Sequence, residues 1–352
     1  AAVGSRSEKT KSKRKHHIRE INMKRDYSNR KLEKGRLVTG ILKPFLEIRE
    51  LTLLVMIFLI ILLMANLNPY FLTYSNFRAI SVGMAPTAII VIGMAILLAS
   101  GGFDLSVGSV MALSSTVVAM LMLSGYSIPV SVFISILLGA FIGLSNGCLV
   151  TAFNINPLIA TLGTMSIARG FALVLTEGFS LSSLPASFGW IGKSSIMGLP
   201  ALVLLMLIMV VIFDLLVRHT RFFRQVYFIG ANEKAAMLSG IHVSRVRIIA
   251  YILSGALAAL AGVLLASRLM SGTPTAGNGI ELQVLAAAVI GGASLQGGEG
   301  TVLGAFLGVV FVALINNSMT MLAVSIYWQM IVIGTVLVIA VALDMLIRRR
   351  KA

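Results

Sequence analysis

Cysteine is almost missing from this 352-residue chain. The single Cys148 excludes a disulfide framework or a cysteine metal site, and its apolar surroundings make it a packing residue. Charge is scarce as well: only 12% of residues are Asp, Glu, Lys or Arg, about half the share of a soluble domain. No G-x-x-x-x-G-K-[ST] run is there to cradle a nucleotide, and no H-E-x-x-H or Cys-rich spacing to hold a metal. An energy-coupling enzyme is therefore not encoded. No cofactor is expected on this chain, and any ATP must be used by a partner subunit.

What the chain has is apolar surface. Hydrophobic residues make up 57% of it, and the mean hydropathy is +0.95. One soluble core cannot account for this, because the polar surface covering a core grows along with it. The formal charge of +16 is unevenly spread, since 15 of the 29 Lys and Arg precede Leu51. A stretch such as Lys11-Ser12-Lys13-Arg14-Lys15-His16-His17 could bind nucleic acid or anionic lipid. Beside a membrane domain, its ordinary role is to hold that end in the cytoplasm, so membrane lipid is expected as a partner and nucleic acid is not. About fifty polar residues precede the first apolar run and no small-residue cleavage site follows it, so that run is expected to stay as an anchor.

Runs able to cross about 30 Å of hydrocarbon are Leu51–Leu67, Ala79–Ser100, Leu105–Leu123, Ile128–Phe153, Pro157–Thr176 and Ile196–Val217. After a basic stretch from Arg218 to Arg247 come Ile248–Leu269, the short Leu282–Ala293, Val302–Leu322 and Ile326–Ile347, ten in all. The short run is expected either to extend through Gly291 and Gly292 or to be a broken helix. Basic residues set the orientation: 15 in the N-terminal tail, six in the loop (Arg218, Arg221, Arg224, Lys234, Arg245, Arg247) and four in Arg348-Arg349-Arg350-Lys351. The opposite connections hold only Lys193, with Arg78 at one edge. Both termini and the loop are therefore expected in the cytoplasm.

The expected fold is an all-α, polytopic transmembrane helix bundle of ten spans. It comprises a basic tail (1–50, expected to be disordered), a membrane domain (51–347, with a cytoplasmic loop over 218–247) and a basic C-terminus (348–352). Gly139-Ala140-Phe141-Ile142-Gly143 and Ser254-Gly255-Ala256 supply small residues for close helix contacts. LGAFIG from Leu138 returns as LGAFLG from Leu303, and Gly101-Gly102 with Asp104-Leu105 as Gly291-Gly292 with Ser294-Leu295, marking a candidate internal duplication.

Between the second and third runs the chain reads Ser100-Gly101-Gly102-Phe103-Asp104-Leu105-Ser106-Val107-Gly108-Ser109, a polar break with almost no loop. An aspartate at bilayer depth costs about 2.5–3.5 kcal/mol, so Asp104 must face protein, water or a helix N-terminus. Two readings are compatible. Asp104 caps the third helix through the amides of Ser106 and Val107, or Asp104 and Ser106 lie on a solute path or its inner gate. Asn156, in the turn Asn154 to Pro157, is a further candidate for the path. Arg169, inside the fifth run, either binds solute hydroxyls or pairs locally, Glu177 being the nearest acid in sequence. Gly230 to Ile241 (GANEKAAMLSGI) is a short helix with a closing glycine, suited to lie on the membrane or to dock into a cleft on another protein.

Five stretches together carry a family resemblance: SGGFDLSVGSVMAL from Ser100, NPLIATLGTM from Asn156, GANEKAAMLSGI from Gly230, LSGALAALAGVLLASR from Leu253 and VIGGASLQGGEGTVLGAFLG from Val289. From Leu51 to Arg348 the chain resembles the ribose/galactose/autoinducer-type permeases of bacterial ATP-binding-cassette importers, relatives of the branched-chain amino-acid permeases. The resemblance implies an inner (plasma) membrane location and a pathway formed by two permease copies, identical or merely similar. It also implies a cytoplasmic ABC ATPase and a periplasmic solute-binding protein as partners. It makes the Gly230 segment the coupling helix, with Asn232, Ala235, Ala236, Ser239 and Gly240 matching the family pattern. The long basic tail departs from that pattern.

The expected function is translocation of a small sugar or sugar-like solute without bond chemistry. One alternative is a branched-chain amino-acid ABC permease. A second is an ion-coupled secondary transporter, which should carry ionisable groups at mid-span in several helices, where only Asp104, Arg169 and Asp214 come close. A third, a membrane-anchored regulator using its tail on nucleic acid, leaves ten apolar runs without a purpose.

Overall fold

The computed structural model describes residues 49–349. The expected 1–50 tail lies outside the described residues except for its last two, and of 348–352 only Arg348 and Arg349 are described. Thirteen α-helices carry the described chain. They are α1 (Arg49–Leu67), α2 (Tyr74–Ala99), α3 (Val107–Leu123), α4 (Ile128–Thr151), α5 (Pro157–Thr176), α6 (Gly189–Lys193), α7 (Ala201–His219), α8 (Arg221–Ala231), α9 (Glu233–Leu238), α10 (Val243–Leu269), α11 (Ile280–Ile290), α12 (Val302–Met321) and α13 (Ile326–Arg349). A hairpin of β1 (Ser195–Ile196) and β2 (Leu199–Pro200) precedes α7.

Each of the ten apolar runs contains one of these helices. Seven (α1, α2, α4, α5, α7, α10 and α12) are long and apolar enough to cross a membrane, while α3, α11 and the Ile326–Ala342 part of α13 are shorter. One run is corrected, and for another, one of the two expected alternatives holds. The run from Ile196 opens in the hairpin, and its helix starts only after Pro200, whose fixed φ suits the residue before a first turn. The run from Leu282 does not continue through the glycines. α11 has 11 residues, about 16 Å or half the hydrocarbon thickness, and ends at Gly291, after which Gly292 (φ 95°) leaves the helical path.

α2 and α10 form the centre. In the apolar stretch of α2, 83% of residues are buried, against 11% for α1. A proline inside such a helix deprives the carbonyl four residues back of its partner. Pro86 does this to Val82, and Arg268 of α10 donates to that carbonyl from 3.2 Å. α4 meets α10 along the small residues that the sequence marks. A Cβ on Gly143 would strike the Tyr251 carbonyl, and one on Gly255 the Gly139 carbonyl, so the backbones touch directly. Outward faces carry Phe58, Phe133, Phe141 and Phe171, all exposed, a surface suited to lipid.

The connections gather into two sets. In one, Asn68 bonds the Met321 carbonyl (3.2 Å), Tyr74 the Gly198 carbonyl (2.6 Å), and Leu181 pairs with Gly272. In the other, the Gly298 amide bonds the Ala99 carbonyl (2.9 Å) and the Tyr227 hydroxyl the Gly300 carbonyl (2.6 Å).

Candidate functional site

The first break sits at the end of α2, where Gly101 (φ 79°) turns the chain. Asp104 is fully buried. Its Oδ1 accepts from the Ser106 amide (2.8 Å), the Ser106 hydroxyl (2.6 Å) and, at 3.4 Å, Nδ2 of Asn146 on α4. The Ser106 hydroxyl thus stands where the Val107 amide is expected. Asn146 also donates to Ser106 Oγ (3.0 Å) and accepts from Thr164 of α5 (2.6 Å). Asp104 Oδ2 is buried without a hydrogen bond among the described residues, with Ser254 as a polar neighbour. Tyr251 of α10 donates to the Phe103 carbonyl (3.1 Å). One short segment is thereby tied to α4 and α10 directly and to α5 through Asn146.

The second break runs from Gly291 to Thr301. The Ser294 hydroxyl accepts from the Gln296 amide (3.1 Å), the same two-residue turn that Asp104 makes with Ser106. At the start of α12, Thr301 Oγ1 accepts from the Gly304 amide (2.9 Å), and Asp214 of α7 accepts from the Leu303 amide (3.1 Å). Asp214 also pairs with Arg218 at 2.6 Å. The Gly230 backbone fills the junction of the two breaks: a Cβ there would strike the Ala99 carbonyl oxygen and the Gly298 nitrogen. Tyr227 closes the side, and burial, with the Asp214 charge adding to it, pushes its phenol up to about 12, so it remains a donor to Gly300.

The Gly230–Ile241 segment has two faces. Gly230 and Ala236 (4% exposed) pack inward. Asn232 caps α9 by accepting from the Ala235 amide (3.0 Å), and Gly240 (φ 83°) ends it in the left-handed region open to glycine. Asn232, Ala235, Ser239 and Gly240 are exposed, together with Met237 (51%) and Leu238 (90%). Arg247 of α10 connects this segment to the first break, donating to Glu233 (2.7 Å) and to the Ser100 carbonyl (3.4 Å).

Of the four candidate path residues, the structure brings together Asp104 and Ser106. Asn156 is exposed and caps α5 through the Leu158 amide (2.9 Å). Arg169 donates to the carbonyls of Pro274 (2.7 Å) and Ala276 (2.8 Å) in the connection before α11, and Glu281 rather than Glu177 is the acid acting on it. Asn146, Thr164 and Tyr251 were not found in the sequence, because a lone polar residue in an apolar run gives no local pattern. Arg247 had registered only as a loop charge.

A family described as branched-chain amino acid transport system / permease component matches residues 76–341. The chain belongs to this permease family. It is 41% identical over 290 residues to the ribose import permease protein of Bacillus subtilis (strain 168), covering 82% of this permease and 90% of that one. The ribose import permease protein of Escherichia coli (strain K12) is 38% identical, over 83% of this permease and 92% of its own length. The D-allose transport system permease protein of the same organism is 37% identical, over 83% and 90%. No solved structure matches the permease. It is a multi-pass protein of the bacterial inner (plasma) membrane.

Proposed function

We propose that this permease is the membrane subunit of an ATP-binding-cassette importer that brings a small sugar or sugar-like solute into the cell. The likeness along almost the whole length to permeases named for ribose and D-allose carries this reading over an amino-acid cargo. In it, α3, α11 and α13 join the seven longer helices to make ten membrane segments, and the basic tail and loop lie in the cytoplasm. The alike turns at Asp104 and Ser294 favour an internal duplication. The ATPase docks on the exposed face of 230–241, where Met237 and Leu238 stand among Asn232, Ala235, Ser239 and Gly240. A second permease copy completes the pathway, a periplasmic binding protein delivers the solute, and ATP is used on the partner alone. Asp104 and Ser106 hold the inner gate, while Asn156 and Arg169 fasten helix ends. Ion coupling is disfavoured because ionisable groups do not recur at mid-span over several helices: only Asp104, Arg169 and Asp214 come close, and Asp214 is paired with Arg218.

The test is uptake of radiolabelled D-ribose, D-allose or L-arabinose into vesicles holding the permease with its ATPase and binding protein. ATP-dependent uptake that survives a protonophore and is unaffected by L-leucine is expected. Leucine uptake, or sugar uptake driven by an ion gradient without the ATPase, would overturn the reading. Gly240→Trp and Leu238→Asp should each release the ATPase on purification while leaving the permease folded.

A further inference from the structure

A cavity of about 280 Å³ opens between α2, α11 and α12, near the lower end of ligand pockets, about 300 Å³. Its polar lining comes from Thr87, Gln283, Asn316, Asn317 and Thr320, and it contains no charged residue. Carboxamides and hydroxyls can both donate and accept, as sugar hydroxyls do, and the apolar remainder, Val309 and Ala287 among it, suits the C–H face of a ring. A phosphate or a zwitterion would find no counter-charge there.

Two of these groups are engaged elsewhere. Asn317 exchanges hydrogen bonds with Asn76 (3.2 and 2.8 Å), and Thr320 donates to the Asn316 carbonyl (2.9 Å). Asn316 Oδ1, by contrast, is buried without a hydrogen bond among the described residues, an acceptor whose want of a partner costs stability. The cavity also has a neighbour and a floor. Ala79 lines both it and a neighbouring cavity of about 380 Å³ beside Lys193 and Pro200, at the end of the molecule carrying the hairpin. At the opposite end α11 and α12 close on each other, where a Cβ on Gly308 would strike the Ala287 carbonyl. Beyond that contact lies the second break, which touches Gly230.

We infer that this cavity holds an uncharged polyol of pentose or hexose size on its way through the permease, with Asn316 and Gln283 as its hydrogen-bonding residues. The inference deepens the sugar-importer reading and rests on it.

Cys148→Ser gives a cysteine-free background for the test, since the chain has no other cysteine. In that background Asn316→Cys, assembled with ATPase and binding protein in vesicles, is treated with a water-soluble methanethiosulfonate with and without D-ribose, D-allose or L-arabinose. A transported sugar should slow the labelling severalfold, and Met197→Cys, fully exposed in the hairpin turn, should label without such protection. Asn316→Leu and Gln283→Leu should each lower sugar uptake about tenfold, the loss equal to one hydrogen bond of about 1.4 kcal/mol. If the parent permease imports sugar while both leucine variants import it normally, or labelling at position 316 is absent or unprotected, the cavity inference falls and the importer reading stands. If the parent imports none of the three sugars, the importer reading falls and this inference with it.

Discussion

α3 and α12 begin alike and are secured differently. Each follows a glycine-rich break, and each has first-turn amides without partners inside the helix. Each start also receives a carboxylate, which the positive end of the helix dipole favours. For α3 it is Asp104, part of the break itself, fully buried and shared with Asn146 of α4. For α12 it is Asp214, supplied from α7, half-buried and paired with Arg218. The first break is thus anchored in the core, and the second is anchored to α7, the arm that leads through α8 into the 230–241 segment. A shift of α7 acts on the start of α12 through Asp214, and a shift of α8 reaches the first break through Gly230 and, by way of Glu233, through Arg247.

Substitutions can break this contrast. Asp104→Leu should cost the most, about 3 kcal/mol, because it strands the Ser106 amide and hydroxyl and Asn146. Thermal unfolding in detergent micelles would show it, with Asp104→Asn retaining most of the stability. Gly230→Leu, which forces a side chain into the meeting point of both breaks, should cost about 2 kcal/mol. Asp214→Ala removes one cap and should cost about 1 kcal/mol. Equal losses for Asp104→Leu and Asp214→Ala would show that both helix starts are anchored alike. The smallest stability effect belongs to Arg247→Gln, about 0.5 kcal/mol for a partly exposed pair. Its informative readout is ATP hydrolysis by the assembled importer, which should lose its response to the sugar-loaded binding protein.

Much of this architecture was legible in the amino-acid sequence, for reasons that also mark where legibility stopped. Length and hydropathy located a helix in every apolar run, and the run from Pro157 to Thr176 coincides with α5, fixed by Asn156 as cap and Pro157 at the first position. The hairpin at 195–200 was hidden because Ile196 and Leu199 are as apolar as any membrane residue. The length of α11 was hidden because glycine is tolerated inside membrane helices and so marks no boundary on its own. Asp104 was visible as a charge in an apolar setting. Its partner Asn146 was not, standing 42 positions away, and neither was the bond from Arg247 to Ser100, separated by 147. Between 230 and 241 the sequence points to Gly230, Asn232, Ala235, Ala236, Ser239 and Gly240, of which Gly230 and Ala236 pack inward and the other four are exposed, whereas the most exposed side chain there, Leu238, carries no such mark.

The α4–α10 seam has a mechanical consequence. Where Gly139, Gly143 and Gly255 bring carbonyls against bare backbone, no layer of side chains remains to be compressed or to change rotamer. Two rods joined without a cushion bend as one beam. Arg247 lies in the second turn of α10 and grips Glu233, so any load on the 230–241 segment falls on the end of that beam. Such a load tilts both helices together, with little of it absorbed along the way.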